Sequence, residues 1–176
     1  RNADDIRRYF DAVARPSIVQ RYHPGPEEAG VFWIRAPAGI AEPARASAGS
    51  IYAVTRKHFP TITGDGVRTL EQLVMDSPRL RLQERAFRAR HAEHWRDVVP
   101  RGKTRRLVQA GNHFQGCRFT DGADLITPEL EAAIDAIARG YRGPTGAPLD
   151  FGRFDVRYKD DESQRRGAAF GIVELN

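Results

Sequence analysis

Apolar residues first recur at helical spacing. Ile6, Tyr9, Phe10 and Val13 follow Asn2, which is placed to cap a helix, with Asp4 and Asp5 in its first turn. Pro16 ends that helix. Ser17–Tyr22 then reads as a strand, Pro24-Gly25-Pro26 as a turn and Gly30–Arg35 as a second strand. The stretch from Ala36 to Gly49, rich in Ala, Pro and Gly without periodicity, reads as a surface loop. Ser50–Arg56 alternates as a third strand. Gly64-Asp65-Gly66 is a sharp turn, and Thr69 caps a short helix with Leu70, Leu73 and Val74 on one face.

Residues 79–97 predict a helix of arginines around Leu80, Leu82, Phe87 and Trp95. Thr104–Gln109 alternates as a strand, Ala110–Gly116 is a glycine-bounded loop, and Cys117–Phe119 reads as another short strand. Pro128, at the first helical position after Thr127, opens an amphipathic helix with Leu130, Ile134, Ile137 and Ala138 facing one way. Phe151–Tyr158 and Phe170–Leu175 alternate as two strands joined by a polar stretch. Strands outnumber helices and several are separated by hairpin-length turns. The pattern predicts an α+β fold, a mostly antiparallel sheet with helices packed on it.

The 176 residues suit one domain, and 40% hydrophobic content with a net charge of only +5 excludes wholesale disorder. No apolar run approaches the roughly 18–20 residues that span a bilayer, so no membrane partner is expected. A single cysteine, Cys117, excludes an internal disulfide framework and suits a reducing, cytoplasmic compartment. No histidine motif marks it as a thiol nucleophile, and it reads as a small buried hydrophobe.

Chemistry concentrates in the last two strands. Arg153, Asp155 and Arg157 alternate along one face of the first, with Phe154, Val156 and Tyr158 on the other. In the second, Glu174 and Asn176 share a face. If the strands pair, an Asp, a Glu and an Asn amide crowd together beside an arginine. Carboxylates about 5 Å apart on neighbouring strands repel unless something positive lies between them. Hard oxygen donors of this kind suit magnesium, which takes one or two carboxylates plus substrate phosphates. A salt-bridged hairpin satisfies the same spacing.

Gly152-Arg153-Phe154-Asp155-Val156-Arg157 followed by Ile172-Val173-Glu174-Leu175-Asn176 resembles the C-terminal signature of ATP-grasp ligases, on the D-alanine–D-alanine ligase and cyanophycin-synthetase side of that superfamily. Three other stretches match in order. Ile18 through Glu27 resembles the segment that holds the adenosine. Lys57 through Leu70 resembles a basic strand end followed by a Gly-Asp-Gly turn. Gly111 through Gly116 resembles a loop near the phosphates.

The resemblance implies a carboxylate–amine ligase that activates its carboxylate as an acyl phosphate with ATP, small molecules or peptides supplying the carboxylate and the amine. It implies that Asp155 and Glu174 bind magnesium, Glu174 bridging two ions and Asn176 completing the second, with manganese as a substitute. Arg153 would stabilise the oxygens that gain charge during transfer. Gln20 stands where a side chain accepts from the adenine amino group; the family often has glutamate there. Backbone groups of Arg21 and His23 would read the rest of the base, Glu27 the ribose hydroxyls, and Lys57 a phosphate. The same resemblance implies that residues 1–176 are the later part of an ATP-grasp domain whose phosphate-binding subdomain lies upstream. Such a chain is expected to turn nothing over alone. Dimers are common in the resembling families, so a homodimer is a further expectation.

A rival reading starts from charge. Of the basic residues all but Lys57, Lys103 and Lys159 are arginine. From Arg79 to Arg118 eleven basic residues face Glu84, Glu93 and Asp97, an excess of +8 that is larger than that of the whole chain. Such a segment can bind nucleic acid or another polyanion by counterion release. No nucleic-acid motif accompanies it and aromatics interleave sparsely. A basic lining for a triphosphate or an acidic substrate accounts for it as well. His91 and His94 are spaced as a metal pair but have no third ligand nearby. His113, Glu27 and Lys57 each also fit ordinary loop or strand-end positions.

Overall fold

The structure is a computed structural model that describes residues 2–13, 15–36 and 49–176. Its elements are α1 (Ala3–Ala12), β1 (Glu27–Arg35), β2 (Gly49–His58), β3 (Thr61–Thr63), α2 (Leu70–Asp76), α3 (Glu84–Arg90), β4 (Thr104–Arg106), β5 (Arg118–Asp121), α4 (Pro128–Gly140), β6 (Phe151–Tyr158), α5 (Asp161–Arg165) and β7 (Phe170–Leu175). Most of the loop expected between Ala36 and Gly49, residues 37–48, lies outside the described residues.

Five strands form one antiparallel sheet in the order β5-β2-β1-β6-β7, and β3 pairs with β4 in a separate two-stranded ribbon. The α+β expectation therefore holds. One face of the large sheet is apolar. Val31, Trp33, Val54, Phe154, Val156 and Tyr158 are buried there against Leu130, Ile134 and Ala138 of α4. Both capping signals around that helix hold: Thr127 Oγ1 accepts from Leu130 N at 3.1 Å, and Pro128 opens the first turn. A second apolar cluster joins Leu70, Val74, Phe87, Trp95, Leu107 and Cys117 beneath α2, α3 and the β3–β4 ribbon. Thr69 caps α2 in a reciprocal pair with Gln72, as Asn2 caps α1 with Asp5.

Two expected elements come out differently. Ser17–Tyr22 forms no strand: it pairs with no neighbour, and Ile18 (92% exposed) and Val19 (81%) point to solvent. The segment lies beside the open edge of β7, where Gln20 Nε2 donates to Val173 O at 3.1 Å, but it forms no backbone ladder with that strand. The arginine helix of residues 79–97 is broken into a 3-10 turn at Leu80–Gln83, α3, and a second 3-10 turn at Ala92–His94. The break lets the chain double back on α2, whose first amides need acceptors. Leu70 N donates to Asp97 O at 3.0 Å and Glu71 N to Trp95 O at 2.9 Å. Of the expected strands β6 and β7 fall where alternation put them, β2 and β5 lie within about two residues of the expected bounds, β1 begins three residues earlier and β4 ends three earlier, while β3 has no counterpart in the sequence pattern. No helix among the described residues is long and apolar enough to cross a membrane.

Candidate functional site

The opposite face of the large sheet is charged. Cross-strand register sets Glu28 of β1 beside Lys57 of β2 and Arg157 of β6, and Gly30 beside Asp155. Asp155 in turn stands opposite Glu174 of β7. Directly opposed residues share a face, so Glu28, Lys57, Asp155, Arg157 and Glu174 all project to one side. The segment after β4 crosses this face at Gly111. A Cβ there would lie 2.6 Å from Glu28 Oε1 and 2.8 Å from Lys57 Cδ. Gly30 plays the same part beneath Arg153: a Cβ would meet Arg153 Cδ at 2.9 Å and Asp155 Oδ1 at 3.3 Å.

Four charged side chains are buried here, Glu28, Lys57, Asp155 and Arg157, none more than 7% exposed. Lys57 Nζ lies 2.8 Å from Glu28 Oε1 and 2.7 Å from Asp155 Oδ2, and Arg153 Nε lies 3.1 Å from Asp155 Oδ1. The positive group that two neighbouring carboxylates require is thus supplied by the protein itself. Lys57, expected as a phosphate contact, is instead enclosed between two carboxylates, because the β1–β2 register brings Glu28 directly onto it. Glu28 is the residue that sequence reasoning passed over. Its place beside exposed Glu27 gives no local sign of burial, although its alternation with Gly30 and Phe32 marks it as a face position.

The metal-ligand candidates do converge. A bulge between Asp155 and Val156 skips Val173 and brings Glu174 opposite Asp155. Arg153 N donates to Asn176 O at 2.8 Å and Asn176 N to Arg153 O at 3.0 Å, so Asn176 extends the same pairing. Glu174 is exposed and forms no ion pair among the described residues. Two carboxylates and an amide are a small donor set. Among the described residues no group of three or more His, Cys, Asp or Glu side chains is placed to hold a metal alone. Hard oxygens are the donor type that magnesium takes, and of these Asp155 already meets Arg153 at Oδ1 and Lys57 at Oδ2. His91 Nε2 lies 2.9 Å from Leu107 O and His94 Nδ1 lies 2.8 Å from Asp97 Oδ2, and no group of three ligands forms around them among the described residues.

The nucleotide candidates divide. Gln20, Arg21 and His23 line one cavity of about 540 Å³ with Tyr22, Arg157 and Val173. The Val173 carbonyl, on the edge strand β7, accepts from Gln20 Nε2 at 3.1 Å. That bond leaves the Gln20 amide oxygen free to accept. His23 Nδ1 accepts from Gly25 N at 3.1 Å, which leaves its Nε2 edge to donate. Glu27 lines a different cavity, of about 580 Å³, shared with His58, Arg79, Arg106 and Arg118. The Pro24-Gly25-Pro26 turn separates the two, packed against the Tyr158 carbonyl at Gly25.

Among solved structures the chain is similar to the bifunctional glutathione synthetase from Pasteurella multocida, at 17% identity and a TM-score of 0.46. The match covers 88% of this chain and 20% of that one, so the chain spans a fifth of its length. No family model matches the sequence. No curated protein matches it either.

The basic segment folds as a lobe rather than a rod. Arg79 donates to Cys117 O at 2.9 Å, and Arg106 stacks on Phe59 with its Nη1 donating to Pro26 O at 2.8 Å. These two arginines hold the lobe to the sheet. Cys117 is buried, and burial pushes its thiol above the ordinary value, which suits a packing role.

Proposed function

We propose that this chain carries the metal-binding and nucleotide-facing sheet of an ATP-dependent carboxylate–amine ligase. The observation that carries the reading is the pairing of Asp155 with Glu174 across β6 and β7, on a polar face that also holds Arg153, Lys57 and Asn176.

In this reading Asp155, Glu174 and Asn176 hold one or two magnesium ions. When bound, magnesium supplies charge neutralisation and orientation of the triphosphate. Every other part is played by side chains of the chain. Lys57 holds the Asp155 carboxylate in place rather than touching phosphate. Arg153, half exposed beside Asp155, directs its remaining N–H groups at the oxygens that gain charge as phosphoryl moves to the carboxylate and as the amine attacks. Gln20 and His23 present an acceptor and a donor toward the base from the first cavity. Catalysis rests on positioning and charge stabilisation, with no covalent nucleophile. The chain belongs to a longer enzyme that contributes the other wall of the nucleotide site, and the lone buried thiol suits a cytoplasmic setting.

Calorimetric titration of the longer enzyme with a non-hydrolysable ATP analogue tests the proposal. Binding should require magnesium, be lost in chelator, and be abolished by Glu174→Gln, a substitution at an exposed position that leaves the fold intact. Equal binding with and without magnesium, or wild-type affinity in Glu174→Gln, would sink it.

A further inference from the structure

Asp155 is buried, and each of its two oxygens already meets a cation of the protein, Lys57 Nζ at 2.7 Å from Oδ2 and Arg153 Nε at 3.1 Å from Oδ1. The two cations are not equivalent. The Lys57 side chain is 3% exposed, is shared with Glu28 Oε1 at 2.8 Å, and lies against the segment that crosses the face at Gly111. Its departure would strand a buried carboxylate on either side. The Arg153 side chain is 46% exposed and touches Asp155 through Nε alone, and its Nη groups have no partner among the described residues. It lacks the two-pronged geometry that makes an arginine–carboxylate pair strong. Oδ1 is therefore the Asp155 oxygen that can change partner, and the strand register sets exposed Glu174 opposite it.

A divalent ion that takes Oδ1 cannot share it comfortably with Arg153. Magnesium sits about 2.0–2.1 Å from a carboxylate oxygen, so it would stand within about 5 Å of the guanidinium that holds the same atom, and like charges that close repel. We infer that Arg153 is an exchangeable counter-ion on Asp155. It occupies Oδ1 while the site holds no nucleotide, and yields that oxygen to the metal when phosphate oxygens engage its Nη groups. Free metal then meets a competitor and binds weakly, whereas metal and nucleotide bind cooperatively, each raising the affinity of the other by the same factor. This exchange rests on Asp155 and Glu174 being metal ligands.

Manganese(II) bound by the longer enzyme, measured by equilibrium dialysis with and without a non-hydrolysable ATP analogue, is the probe. In the wild type the analogue should tighten manganese binding at least about fivefold, the lower end of ordinary coupling between sites. Arg153→Met should bind manganese alone at least about fivefold more tightly than the wild type, bind the analogue more weakly, and lose most of the coupling. Arg153→Gln should do the same, and serves if the methionine variant does not fold. Arg153→Lys restores a positive charge beside Oδ1 and should hold manganese alone at the wild-type level. A purely structural role for Arg153 predicts that both ligands weaken in the folded uncharged variants, and a phosphate contact without exchange predicts that manganese alone binds them unchanged. Either result overturns the exchange while the metal site stands, as does equal manganese affinity with and without the analogue. No manganese binding in the wild type, even with the analogue, overturns the assignment of Asp155 and Glu174 and the exchange with it.

Discussion

Lys57 Nζ lies 2.7 Å from Asp155 Oδ2, and both side chains are buried on the same face of the sheet. Neither residue is near the other in sequence; the β1 strand between them, pairing with both β2 and β6, fixes the contact. Truncating the lysine leaves the buried Glu28 without its ion-pair partner and Asp155 with only the half-exposed Arg153. Lys57→Met should therefore destabilise the protein by about 3–5 kcal/mol. Equilibrium urea denaturation measures this directly, and a loss near zero would show that the two carboxylates reach solvent.

Gly111→Ala should be harmful where most glycine-to-alanine changes are mild. The new methyl would press on Glu28 Oε1 and Lys57 Cδ, side chains that are flexible in themselves but locked here by their ion pair. A cost of about 1–3 kcal/mol is expected from such overpacking. Gly140→Ala is the control: at the last residue of α4 nothing lies within 4 Å of the added carbon, and a gain of about 0.5–1 kcal/mol is expected. Opposite signs in thermal denaturation support the close approach of the segment after β4; equal signs would refute it.

Alternation made most of the sheet legible. Phe154, Val156 and Tyr158 face the apolar core and Arg153, Asp155 and Arg157 the polar side, as the two-residue period of β6 required. The caps at Asn2, Thr69 and Thr127 were legible because a cap is local chemistry within four residues. The burial of Glu28 was not, because its partner is 29 residues away and only the strand register joins them. For the same reason Lys57 reads in the sequence as a phosphate contact or a strand-end charge and not as the buried partner of two carboxylates. The Ser17–Tyr22 segment shows the converse limit. β-branched and aromatic residues favour a strand, yet a strand forms only where backbone pairs with backbone, and this segment meets the open edge of β7 through the Gln20 side chain instead. The separation of Glu27 from Gln20 and His23 into two cavities arises from the packing of Gly25 on β6, a tertiary contact without a sequence signal.

Alkaline pH should weaken the fold through Tyr158. Its hydroxyl is pushed up to about 12, chiefly by burial and then by the charge of Asp161. In the unfolded chain a tyrosine ionises near about 10. Between these values the folded state keeps a proton that the unfolded state has lost, so stability must fall as pH rises through that window. Urea midpoints measured at about pH 9 and about pH 11 should drop in the wild type and drop less in Tyr158→Phe. Identical drops in both proteins would assign the loss to other groups.

Gln164 offers the reverse experiment, a substitution that should stabilise. It is fully buried on α5, and neither its Oε1 nor its Nε2 has a partner among the described residues. Desolvating an amide without a hydrogen bond costs about 1–3 kcal/mol, and replacing it by an unbranched apolar side chain of similar length removes that cost. The α5 cap is independent of the change, since Asp160 and Ser163 bond each other reciprocally at 2.8 and 3.3 Å. Gln164→Met is therefore expected to raise stability by about 1–2 kcal/mol, or roughly 2–8 °C in melting temperature for a chain of this size. A lower melting temperature would mean that the amide is hydrogen-bonded in solution, and that the packing of α5 on α4 and β6 differs from the arrangement described.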